Sequence, residues 1–303
     1  MQRGQLARLG LAIAALLALV VAAPAAAACQ AGKPGETVPV MVGKTGRAIM
    51  LHIPAEAAPA RLPLVMLFHG SGGTARGILD NSRLEATAER YGFILSAADA
   101  GIPAEGGFAW NIPGVPTVTG HVPTQEDPDD VAFVGATIDW LVAQGCVDPA
   151  QVYATGLSGG GRMTSWLGCV AADRFAAIAP VVGLRAGNPL ASNPRVPDPA
   201  TCRPSRPVPV LAFAGDKDTT NPIEGGGSPY WQYPMSVALA RWAELDGCHG
   251  RLRSTTLTNG RTEQHFDNCR AGSEVIGDVL AGAGHVWTAD NQAMWAFFAR
   301  HRR

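Results

Sequence analysis

Three side chains of the 303-residue sequence have the types and settings for nucleophilic acyl chemistry: Ser158, Asp218 and His285, in that chain order. Ser158 lies in Gly156-Leu157-Ser158-Gly159-Gly160, the pattern G-x-S-x-G. Alone, that pattern says little in a chain with 36 glycines. Its flanks make it specific. Val152–Ala154 is expected to end a short buried strand, Arg162 to about Ala171 to be helical, and Ala176–Ala179 to form a second buried strand. A sharp turn between strand and helix needs neighbours without large side chains, because the backbone folds back on itself. It leaves Oγ exposed above the sheet, with the Gly159 N–H aimed at an adjacent oxyanion. The alternative is a plain helix N-cap serine. The strand–turn–helix setting favours the nucleophile.

The acid and the base come from later loops. The strand expected over 209–214 ends in Gly215-Asp216-Lys217-Asp218, where the order Ser, Asp, His needs an acid. Asp216 competes with Asp218, but an acid directly after the strand-ending glycine has little loop to turn with, so reach favours Asp218. His285 stands among small residues in Ala281-Gly282-Ala283-Gly284-His285, after the last strand, around 274–280. In that position it can swing over the sheet edge. His285 would take the proton from Ser158 Oγ, and Asp218 would hold the other ring nitrogen and stabilise the imidazolium. The second oxyanion donor is expected from the backbone N–H of Ser71, in His69-Gly70-Ser71-Gly72-Gly73 at the end of the apolar run 63–68. A phosphate-binding turn is the alternative for this loop, and the lysine it needs is absent.

These loops require strands to launch them. Arg47–Pro54 is read as an early strand, 63–68 as a central strand buried on both faces, and Phe93–Ala97 as the next. Helices are expected over Leu79–Tyr91, Asp129–Gln144, Met235–Leu245 and Ala289–His301. Val131, Val134, Ile138 and Leu141 would form the apolar face of the second. Asp129 and Asp130 are read as caps at its start. Alternation of this kind gives an α/β fold with a mostly parallel sheet and helices on both faces, and the site at the strand C-termini. Residues 99–130 are read as a long functional loop. Within it, Trp110 is either a plug or a wall of the substrate pocket. Trp231 and Trp287 are the other candidate substrate contacts. The proline-rich stretch 188–209 is read as an insertion or a rim.

Net charge is −1, with 16% charged and 47% hydrophobic residues. This suits one domain with a sizeable core and excludes the basic surface that nucleic acid needs. Arg3 and Arg8, the apolar run 9–21 and the small residues up to Ala28 form a secretory signal pattern, leaving 29–303 as one catalytic domain without stable membrane insertion. A lipid anchor on Cys29 is the lesser alternative. Six cysteines in an exported chain point to three disulfides. Cys248–Cys269 closes a short loop worth about 3 kcal/mol. Cys169–Cys202 would staple the helix after Ser158 to the proline-rich stretch, which leaves Cys29–Cys146. Cys248, His249, His265 and Cys269 would also pass for a zinc set, but an adjacent Cys-His pair is poor tetrahedral spacing.

Leu67-Phe68-His69-Gly70, Asp129-Asp130-Val131-Ala132-Phe133-Val134, Val147-Asp148-Pro149 leading into Tyr153-Ala154-Thr155-Gly156-Leu157-Ser158, Phe175–Val181 and Gly284-His285-Val286-Trp287 resemble the polyhydroxybutyrate depolymerase and feruloyl esterase family of secreted α/β-hydrolases. The resemblance implies the α/β-hydrolase fold, the triad Ser158, Asp218 and His285, Ser71 in the oxyanion loop and no cofactor. It departs around the acid, where Ala214-Gly215 and Asn221-Pro222-Ile223 replace the family's usual residues. The expected function is a secreted, monomeric serine esterase. Its substrates would be small or oligomeric: feruloyl or acetyl esters, or short hydroxyalkanoates. An acyltransferase on the same scaffold, a non-catalytic binding protein and a peptidase are the competing classes.

Overall fold

The computed structural model describes residues 29–56, 61–228 and 231–303. The signal segment read at 1–28 lies outside them. In chain order the strands are β1 (Thr37–Met41), β2 (Ala48–His52), β3 (Leu62–Phe68), β4 (Ile94–Ala98), β5 (Ile102–Ala104), β6 (Gly107–Ala109), β7 (Val147–Leu157), β8 (Ala177–Val181), β9 (Pro189–Leu190), β10 (Asn193–Pro197), β11 (Val210–Gly215), β12 (Arg253–Thr256), β13 (Arg261–Phe266) and β14 (Val275–Leu280). The α-helices are α1 (Ala75–Ser82), α2 (Leu84–Tyr91), α3 (Asp130–Ala143), α4 (Gly159–Val170), α5 (Met235–Leu245) and α6 (Asn291–Ala299).

Ten strands share one sheet, in the order β1-β2-β4-β3-β7-β8-β11-β14-β13-β12. The six from β4 to β14 are parallel, and antiparallel pairs close both edges. Side chains alternate across the sheet as strand geometry requires. In β3, Leu64, Met66 and Phe68 join the core under α3, α4 and α5, whereas Val65 and Leu67 join the core under α1, α2 and α6. The second core is capped by Met294, Phe297 and Phe298 of α6. Burying each such side chain stabilises by about 1.5–3 kcal/mol. This is the α/β-hydrolase arrangement, and it places the ends of β3, β7, β11 and β14 along one edge, where ligands meet such sheets.

Several elements differ from expectation. The helix read over 79–91 is two helices. Arg83 takes a left-handed conformation, φ 53°, and its N–H donates to Leu79 O, closing α1. The break frees the carbonyl of Ser82, which accepts from Asn291 Nδ2 of the distant α6 at 2.8 Å. The loop 99–130 contains the β5–β6 hairpin. Asp129 is the N-cap of α3, accepting from Ala132 N at 2.9 Å. Asp130 is not a cap. It is fully buried and binds Arg47 Nη2 and the Asn111 N–H, each at 2.8 Å, which pins the long loop to the sheet edge. The buried face of α3 is Phe133, Val134, Thr137, Ile138 and Leu141, with Val131 only partly covered. The β12–β13 hairpin was not anticipated, because β12 is polar and exposed along its length and gives no apolar alternation.

The three disulfides are Cys29–Cys146, Cys169–Cys202 and Cys248–Cys269. The third removes the zinc reading, since both sulfurs bond each other. The first engages the Sγ that a lipid anchor on Cys29 would have to alkylate, which removes that reading too. Three disulfides fit an oxidising compartment. Among the described residues, no helix is long and apolar enough to cross a membrane.

Candidate active site

Ser158 stands between the end of β7 and the start of α4 with φ 55° and ψ −109°. Few non-glycine residues adopt such a conformation, and those that do often sit at functional sites. Two glycines make the turn sterically feasible. A Cβ on Gly156 would lie 2.7 Å from the backbone of Gly160, and a Cβ on Gly160 would lie 2.1 Å from Phe68 O. Ser158 Oγ makes no capping bond to α4. It lies 2.8 Å from His285 Nε2 instead.

His285 Nδ1 lies 2.8 Å from Asp218 Oδ2. Asp218 is 4% exposed, and its Oδ1 accepts from the N–H groups of Thr220 and Asn221, both at 2.8 Å. Burial opposes its charge, but the hydrogen bonds from His285 and these amides outweigh burial and hold its pKa below the usual carboxylate value. Asp216 turns elsewhere. Its Oδ1 accepts from Gly282 N at 2.6 Å, while Lys217 N donates to Ala283 O at 2.9 Å. It therefore ties the loop after β11 to the loop carrying His285. The structure brings Ser158, His285 and Asp218 together and leaves Asp216 outside that line.

Ser71 follows β3 and abuts the elbow: a Cβ on Gly159 would lie 2.8 Å from Ser71 N. The loop around it is held from three sides. Gly72 N donates to Phe108 O and Phe108 N to Gly73 O, which couples it to β6. Trp110 Nε1 donates to His69 O at 2.8 Å, and its ring packs against His69 and Phe68. His69 Nε2 accepts from Ala100 N at 3.0 Å, so Nδ1 carries the proton and donates to Gly70 O at 2.7 Å. Burial lowers the His69 pKa, in keeping with a neutral, structural ring. Arg162 of α4 donates from Nη2 to Ser71 Oγ at 3.0 Å.

The tryptophans divide. Trp110 is 4% exposed and packs beneath the loop after β3, the plug of the two positions open to it. Trp231, also 4% exposed, donates to Pro222 O at 2.8 Å and walls a small cavity beside Asn221, so it too presents little surface to a ligand. Trp287 is partly exposed and donates to Asn291 Oδ1 at 2.9 Å.

Residues 47–210 match the family model described as Esterase PHB depolymerase. The chain belongs to the esterase PHB depolymerase family. Putative esterase NocK of Nocardia uniformis subsp. tsuyamanensis is 32% identical over 270 residues, covering 82% of this chain and 72% of that protein. Feruloyl esterase B of Piromyces equi is 31% identical over 241 residues, covering 78% and 41%. Poly(3-hydroxybutyrate) depolymerase of Ralstonia pickettii is 36% identical over 248 residues, covering 75% and 48%. The chain thus spans less than half the length of the last two. Among solved structures, acetyl xylan esterase from Aspergillus awamori shares the fold, with a TM-score of 0.63 at 19% identity, covering 88% of this chain and 99% of that one. The family match includes Ser71, Ser158 and Gly159 and stops before Asp218 and His285.

Sequence reasoning missed the supports of this family member's site. Asn221 donates from Nδ2 to Val182 O at 2.6 Å and so anchors the acid turn to the end of β8. Arg261 of β13 pairs with buried Asp278 at 2.8 Å and donates to Thr288 O at 2.6 Å, three residues beyond His285. Neither has a sequence motif. Their partners are a backbone carbonyl or a distant acid, so only the folded chain shows them.

Proposed function

We propose that the chain is an exported serine carboxylic ester hydrolase. The observation that carries this reading is the unbroken line from Ser158 Oγ through the His285 ring to Asp218, with Oγ presented on a strained turn. His285 Nε2 removes the Oγ proton as the serine attacks the ester carbonyl. Asp218 keeps the proton on Nδ1 and stabilises the imidazolium. The N–H groups of Gly159 and Ser71 receive the developing oxyanion, and losing one such donor typically costs about 3 kcal/mol. The alcohol leaves with the proton from Nε2, and water, activated by the same nitrogen, cleaves the acyl-enzyme. The substrates are feruloyl or acetyl esters or short hydroxyalkanoates, in keeping with the names its relatives carry.

The test is hydrolysis of p-nitrophenyl acetate, p-nitrophenyl butyrate, methyl ferulate and a hydroxybutyrate oligomer by the purified protein beside Ser158→Ala. Turnover of one or more of these esters that falls at least about 10³-fold in the variant is expected. Inactivity of oxidised, folded protein on all of them would overturn the reading.

A further inference from the structure

An open groove of about 580 Å³ lies between the loop 99–130 and α4. Trp166, Val170, Pro113 and Pro123 give it apolar surface, and Gln125, Asp127 and Asp129 give it polar groups. Trp166 is only partly covered, and Val170 is 46% exposed. Val122, beside Pro123, is 50% exposed. Apolar surface of this kind, left to water and rimmed by polar groups, marks a binding site. A second groove of about 440 Å³ shares Val131 and Val170 with the first and continues between α3 and α4, so the surface is elongated. Ser158 stands at the N-terminus of α4. At a rise of about 1.5 Å per residue, Trp166 and Val170 lie about 12 and about 18 Å along that helix from it, away from the catalytic line.

The hydrogen-bonding groups of the groove select its occupant. Asp127 uses Oδ2 to accept from Thr124 and to meet His121, and Asp129 uses Oδ1 to cap α3. Oδ1 of Asp127 and Oδ2 of Asp129 accept no bond among the described residues. Ionised carboxylates accept and never donate. The occupant must therefore bring donors to these oxygens and apolar surface to Trp166 and Val170. A polyester chain offers acceptors only, and would strip water from both carboxylates without replacing it. A cation gains little from two exposed acids, one of them already bonded to His121. No group of three metal-ligating side chains occurs among the described residues. A sugar ring meets both needs, since its C–H face covers an indole and its hydroxyls donate to carboxylates.

We propose that this groove binds a neutral oligosaccharide or polysaccharide chain. Trp166 is the surface a sugar ring covers, Asp127 and Asp129 take its hydroxyl donors, and Gln125 supplies both a donor and an acceptor. The site goes beyond the esterase reading above and does not rest on it. It holds a polymer about two helical turns from Ser158, whether or not that serine reacts.

Oligosaccharides without ester groups test the proposal, because no turnover follows binding. Xylohexaose, cellohexaose and mannohexaose are titrated into the purified protein by calorimetry, at low salt and in about 0.5 M sodium chloride. Saturable binding of at least one of them is expected. It should weaken about 10-fold in Trp166→Ala and about 3- to 10-fold in Asp129→Ser, and change less than about 2-fold with salt. Serine keeps the cap of α3, so the second variant is expected to fold even if loss of the Trp166 packing unfolds the first. Hydrolysis of p-nitrophenyl butyrate is expected to stay within about 2-fold in both variants. A parallel fall in hydrolysis and binding would place the groove within the catalytic site and overturn it as a separate one. No saturable binding, or binding equal in both variants, overturns the proposal. So does adsorption of Ser158→Ala to poly(3-hydroxybutyrate) particles without saccharide binding, or binding confined to a chitosan oligomer and lost in salt. Inactivity on the ester with saccharide binding intact would count against the esterase reading alone.

Discussion

Ser158, Gly159 and Ser71 are positioned by backbone packed on backbone, whereas Asp218 and His285 are positioned by side chains bonded across loops. On the first side, Gly156, Gly159 and Gly160 let β7, α4 and the loop after β3 approach within distances no side chain allows. On the second, Asp216 bonds Gly282, Asn221 bonds Val182 and Arg261 bonds Thr288. Steric closeness leaves a mark in the sequence, because only glycine satisfies it. Hydrogen bonds to aspartate and from asparagine and arginine leave none, because those residues occur everywhere on a protein surface.

The comparison breaks most readily at the acid. Asp218→Asn is expected to lower kcat about 10³- to 10⁴-fold, since it presents the wrong hydrogen-bond partner to Nδ1. Asp216→Asn, a loop tie, is expected to cost less than about 10-fold. Steady-state rates on p-nitrophenyl butyrate decide the pair, and the reverse ranking would remove Asp218 from its role.

Next come two glycines. Gly160→Ala forces a methyl against Phe68 O and is expected to destabilise by about 3 kcal/mol with loss of turnover. Gly282→Ala, on the His285 loop, meets open space and carries only the cost of a left-handed residue, φ 77°, about 1–2 kcal/mol. Urea unfolding of both variants with disulfides intact measures the difference. Equal losses would mean that the two sides are not held differently.

The smallest effect concerns pH. Glu274, at the base of β14, contacts His301, Arg300 and His265. Burial disfavours its charge, but the hydrogen bonds and charges of His301 and Arg300 prevail and bring its pKa from 4.5 down to about 2. A depressed folded pKa gives stability that is present above the unfolded value and lost as pH falls from about 4.5 to about 2. Glu274→Gln should therefore cost roughly 1–3 kcal/mol at neutral pH and progressively less through that window. Melting temperatures of both proteins across that range test it. Parallel curves would show that the carboxylate contributes nothing.

Much of the architecture was legible in the chain alone. The apolar run of β3, the flanks of G-x-S-x-G, the bounds of α5 and the Ser, Asp, His order all rest on local pattern. What stayed hidden was non-local. The carbonyl freed at the Arg83 break is taken up by Asn291 of α6, and the buried carboxyl of Asp130 is met by Arg47, just before β2. Trp110 was open between two positions until His69 appeared above it.

The order Ser158, Asp218, His285 and the tight turn that presents Ser158 were determined by sequence, because a strand-to-helix turn and a strand-end loop are built from residues close in the chain. Which aspartate faces His285 and which tryptophans are covered were decided by tertiary structure. Those outcomes depend on the meeting of segments far apart in sequence, where a difference of one residue in a loop turns a side chain toward the site or away from it.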